Sequence, residues 1–147
     1  MDKKLIFSKF ISNLEEYLKN IYKNKIILDF DYQENMLNVG INGIDGKKSI
    51  LGIVLYENYY IGIAFNIYPK NLKELKDSQT LYEAGKSQII IELCKDKCNV
   101  KIARDLFNPY SIYDEYDDLT IQEVKDIVFP KIKERIDSIK ISYIKIV

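Results

Sequence analysis

The chain has 147 residues, and its 22 basic side chains balance its 22 acidic ones to a formal charge of zero at pH 7. It contains no His, which excludes Ser-His-Asp and Cys-His nucleophile pairs, imidazole zinc sites and His-based pH switches. A hydrophobic content of 47% fits one folded domain over 1–147, while having only two Arg, Arg104 and Arg135, argues against a base-reading nucleic-acid binder.

The first element is a helix over 3–23. Phe7, Phe10, Ile11, Leu14, Tyr17, Leu18, Ile21 and Tyr22 recur at spacings of three and four and make one broad apolar stripe. Such a stripe needs a flat apolar surface to cover, and one follows at once. In 25–33, Ile26, Leu28, Phe30 and Tyr32 alternate with Ile27, Asp29, Asp31 and Gln33, the pattern of a half-buried antiparallel strand. Glu34-Asn35 suits a tight turn, because Asn tolerates positive φ. Residues 36–42 alternate around Leu37, Val39 and Ile41, and Gly43 to Gly46 signal a turn. Residues 49–56 are nearly all apolar and read as a central strand. In 59–68, Tyr59, Ile61, Ile63, Phe65 and Ile67 share a face. Together these make a four-strand meander.

Pro69 ends the fourth strand, and 70–87 reads as broken helical turns and loop. Residues 88–94 and 98–103 form a hairpin around Lys95-Asp96-Lys97. The next stretch, 104–118, carries five acids against one base, together with Phe107, Tyr110, Tyr113 and Tyr116. Pro109 opposes regular structure there, so the expectation is an acidic, tyrosine-rich loop. Thr120 and Glu123 then match a capping box, with Leu119 and Val124 placed for a hydrophobic staple. A helix follows, with Ile121, Val124, Ile127, Val128, Ile132, Ile136 and Ile139 on one face and a kink or break expected at Pro130. The tail from 139 to 147 fits either a helix end or a last strand.

The fold expected is α+β: a twisted antiparallel sheet of about six strands with N- and C-terminal helices packed on one face. Gly40, Gly52, Gly62 and Ala64 recur on the strands, and helix docking is the leading reading for them, ahead of a small-ligand floor. Tyr60 and Tyr68 point away from the Ile61–Ile67 face, so an uncovered second face would present aromatic surface. That element order resembles small α+β bacterial immunity proteins and secretion-chaperone-like domains. The resemblance is one of topology, and no site residue is carried over from it.

Few constellations suggest catalysis. Asp29 and Asp31 share a strand face and are the basis of an alternative reading as a metal-dependent enzyme, although no third ligand is evident. Cys94 and Cys98 lack both CxxC spacing and a second pair, so they read as small side chains flanking a hairpin, with a disulfide as the lesser option. Gly85-Lys86-Ser87 looks like the end of a P-loop but has Thr80 where the glycine belongs.

The function expected is binding without catalysis: an immunity or inhibitor protein that neutralises a cognate toxin. Its contact surface would comprise Tyr110, Tyr113, Asp114, Glu115, Tyr116, Asp117 and Asp118. Tyrosines supply large, stiff contact area, and clustered carboxylates speed encounter with a basic partner. Secretion-chaperone-like and small-ligand binding roles are the alternatives. No cofactor is expected, nor a nucleic-acid or membrane partner. A cytoplasmic location is expected, and the oligomeric state, monomer or homodimer, is left open.

Overall fold

The computed structural model describes residues 2–33, 35–41, 49–56, 60–65, 88–104 and 112–144. Helix α1 (Lys3–Tyr22) opens it, with the Asp2 carboxylate accepting from the Lys4 and Leu5 amides at 3.0 and 3.4 Å. That cap satisfies donors a helix leaves orphaned at its start. A single 3-10 turn, Lys23–Lys25, leads into strand β1 (Ile26–Asp31). Strands β2 (Met36–Ile41), β3 (Ser49–Tyr56), β4 (Tyr60–Phe65), β5 (Ile89–Leu93), β6 (Cys98–Ala103) and β7 (Tyr113–Leu119) follow, and helix α2 (Ile121–Ile144) closes the order.

The seven strands form one antiparallel sheet in the order β1-β2-β3-β4-β5-β6-β7, so every strand pairs with its chain neighbours. The β1–β2 turn keeps Asn35 at a φ of 47°, as its side chain allows. Leu37, Val39, Leu51, Ile53, Ile61, Ile63, Phe65, Ile91 and Val100 are fully buried on one face of the sheet. Both helices pack on that face. α1 lies nearest β1 and α2 nearest β6 and β7. The six fully or largely buried residues of the α1 stripe run from Phe7 to Tyr22. Burial of each large side chain contributes on the order of 1.5–3 kcal/mol.

The helices also meet each other. Phe10 packs edge-on to Phe129 at 5.4 Å, and Tyr17 meets the same ring at 5.3 Å. The Tyr22 hydroxyl donates to Asp137 Oδ1 at 2.7 Å, while Lys133 Nζ holds Oδ2 at 2.7 Å. Burial and the neighbouring carboxylate push the Tyr22 phenol well above its ordinary value, so it stays a donor.

Three expectations need correction. The stretch 104–118 is not a loop throughout, because 113–119 is a strand. Its polarity on both faces is that of an outer strand, which misled a reading based on alternation. α2 does not break at Pro130: the ring sits on the exposed side of the helix, where water can satisfy the carbonyl that proline leaves without a donor. Of the two options open for the tail, the chain past Ile139 takes the helical one, to Ile144. The glycine-bearing positions lie on the sheet face opposite both helices, so α1 and α2 do not dock on them. A Cβ at Gly52 would meet only Met36 Sδ at 3.5 Å and Asn38 Oδ1 at 3.9 Å, which is ordinary contact. The expectations for Tyr68, residues 70–87, Gly85-Lys86-Ser87, Phe107, Pro109 and Tyr110 lie outside the described residues.

Candidate partner interface at the outer strand

β7 pairs only with β6 among the described residues and is the last strand in the sheet order. The register sets Ala103 opposite Tyr113, Ile102 opposite Asp114, Lys101 opposite Glu115 and Val100 opposite Tyr116. Because strand side chains alternate, Asp114 and Tyr116 project on the helix side with Ile102 and Val100. Tyr113 and Glu115 project on the other side. The two tyrosines, three residues apart, therefore cannot anchor one flat patch together. Tyr116 is the more exposed, at 38%.

The acids divide as well. Arg104 Nε donates to Asp114 Oδ1 at 2.6 Å, and Lys101 Nζ lies 3.7 Å from Glu115 Oε1. Both pairs are exposed, so each contributes little to stability, but each cancels one negative charge. Asp117 and Asp118 have no basic partner among the described residues. They stand opposite Asn99 alone, because the register jumps from Val100–Tyr116 to Cys98–Leu119. This is a β-bulge. Asp118 takes a φ of 56°, and its N–H donates to Asn99 Oδ1 at 3.0 Å. The bulge thus holds two consecutive exposed aspartates on a strand braced by the sheet. Asn99, Lys101 and Arg104 were not singled out in the sequence. The cross-strand alternation of Lys101 with Glu115 was the available signal, and it needed the register to be read.

Immediately after β7 the expected capping box forms in both directions. Glu123 N–H donates to Thr120 Oγ1 at 3.2 Å, and Thr120 N–H donates to Glu123 Oε1 at 3.1 Å. These Thr120 hydrogen bonds hold the Glu123 carboxyl below its ordinary value. Leu119 and Val124 both join the core, as a staple requires.

The other candidates are less developed. Asp29 and Asp31 sit on one strand face, as expected, but Asp31 Oδ1 accepts the Gln33 N–H at 3.0 Å to close a turn. Among the described residues no group of three metal-binding side chains comes together. Cys94 and Cys98 are both free thiols. Cys98 faces the core opposite Leu93, so Cys94, one residue on, projects to the other side and the two cannot bridge. Cys94 donates to Glu92 Oε1 at 3.3 Å, which raises its pKa, while burial raises that of Cys98. Neither is an activated nucleophile. Tyr56 and Tyr60 stack at 5.0 Å on the face opposite the helices, beside Gly62. A groove of about 410 Å³ between the helices is lined in part by Asn13, Tyr17, Gln122, Lys125 and Phe129.

No family model matches the chain, and no solved structure matches it. A Plasmodium falciparum protein bearing the name "Putative E3 ubiquitin-protein ligase" is 40% identical over 65 residues, or 44% of this chain. That match spans 1% of the larger protein, so it shows similarity over a segment and no shared family.

Proposed function

We propose that this chain is a non-catalytic, cytoplasmic binding module that docks a basic protein surface on β7, most concretely as a bacterial immunity or inhibitor protein against a toxin. The observation that supports this reading is the pair of exposed carboxylates, Asp117 and Asp118, set by the Asn99 bulge on a sheet-braced edge. Tyr116 adds exposed aromatic area two residues from Asp118. The bulge also blunts the edge against strand addition, which favours a partner that docks with a folded surface.

The test is a pull-down from the native host followed by association kinetics with the captured protein. Charge reversal by Asp117→Lys and Asp118→Lys should slow association about tenfold at low salt and flatten its salt dependence. Glu115→Gln, whose charge Lys101 already offsets, should change the rate far less. An unchanged association rate in the double variant places the interface elsewhere.

One observation favours a second reading. The stacked Tyr56 and Tyr60 stand beside Gly62 on the face away from the helices, a floor suited to a planar small molecule. A ligand retained in a native mass spectrum of the purified protein would support that role.

A further inference from the structure

Among the described residues β1 is the opposite outer strand, and it differs from β7 in having no bulge over its six pairs with β2. Its outward amides can be assigned. Leu55 N–H donates to Asn35 O, so Asn35, Leu37 and Val39 turn their backbone groups toward β3. Asn38 and Met36 then turn theirs toward β1, and Asp29 and Asp31 answer them. Ile26, Leu28 and Phe30 are left with N–H and C=O groups directed outward. Beside them Tyr32 is 84% exposed, with its ring 4.8 Å from that of Phe30, and Ile27 is 36% exposed.

We propose that a second copy of this chain pairs with β1, antiparallel about a two-fold axis at Leu28. In that register Leu28 faces its own copy and Ile26 faces the second copy's Phe30, so all three outward amides on each chain are paired. Lys25, the last residue of the 3-10 turn that leads into β1, comes level with the second copy's Asp31, twice by symmetry, so opposite charges meet at both ends of the pairing. The neighbouring registers are worse. A shift of two residues one way sets Asp29 against its own copy. A shift the other way sets the outward N–H and C=O of Phe30 against Asn24, within the 3-10 turn, whereas the register about Leu28 keeps all three outward-amide pairs inside β1. The dimer keeps both helical layers on one side of a continuous sheet and leaves both copies of β7 accessible.

Light scattering of the purified chain at tens of micromolar should give twice its 17.3 kDa mass. Lys25→Asp sets Asp against Asp31, and Asp31→Lys sets Lys against Lys25. Each alone should weaken the dimer about tenfold. Mixing the two variants restores both opposite-charge pairs, so the mixture should form a heterodimer at concentrations where each variant alone is monomeric. Leu28→Pro removes an outward N–H together with a side chain that packs against the core, and should abolish the dimer; circular dichroism melts of all three variants verify folding. Retention of the fold with a monomeric wild type overturns the proposal, as does a dimer indifferent to both charge reversals. A mixture that stays monomeric overturns this register.

Discussion

At the scale of single residues, the polar groups inside the fold each complete something the backbone leaves unfinished. Gln88 is buried; its side-chain oxygen accepts the Phe65 N–H at 2.8 Å and its amide returns to Phe65 O at 3.4 Å, standing in for the strand that ends there. Gln88→Ala leaves that N–H buried without a partner and should cost about 1–3 kcal/mol in urea unfolding. Arg135, 9% exposed, donates from Nη2 to Ala103 O at 2.6 Å and ties α2 to the end of β6. Glu123 carries a pH dependence with a definite sign. Its folded pKa lies below its unfolded value, so the capping box contributes above the usual carboxylate range and fades as pH falls through the folded pKa. The melting temperatures of the wild type and Glu123→Gln should differ at neutral pH and converge in acid. The raised thiol pKa values predict slow alkylation of both cysteines at pH 7, with the Cys94 rate climbing as pH passes the ordinary thiol range.

At the scale of elements, α2 runs straight through a residue that disfavours helix interiors. Pro130→Ala restores an N–H to the ladder and should stabilise the protein, by up to about 3 kcal/mol, as read from its melting temperature. Gly52→Ala should be neutral or slightly stabilising, since the added methyl meets only ordinary contacts. The elements that could be read from the chain were those with one wet and one dry side. α1 announces itself by its stripe, β1 by its alternation and α2 by Thr120 and Glu123. β7 could not be read that way. It lies at the rim, both its sides are wet, and the extra residue at Asp117-Asp118 breaks period two. The same geometry explains why the acidic stretch was legible as a cluster but not as an arrangement. Which acid is offset by Lys101 or Arg104 depends on the β6–β7 register, and no composition reveals a register.

At the scale of the whole molecule, the buried apolar residues of the sheet lie on β2 to β6, with none on the rim strands β1 and β7. Amide hydrogen exchange should follow that difference, slower in β2 to β6 and faster in β1 and β7. Faster exchange in the centre than at the rims would contradict this account of where stability resides. No helix among the described residues is long and apolar enough to cross a membrane. The two rims are also chemically distinct. One is regular and has apolar outward-facing residues; the other is bulged and acidic. A molecule built this way can meet a copy of itself at one end and a different protein at the other without competition.

The strand order carries one more consequence. Since each strand joins only the one made before it, the sheet can zip up as the nascent chain leaves the ribosome, with little waiting for distant sequence. Contacts between the two helices, the clasp between Tyr22 and Asp137 among them, must await α2. Tyr22→Phe should therefore leave early folding phases untouched and act on the final step, speeding unfolding more than it slows folding.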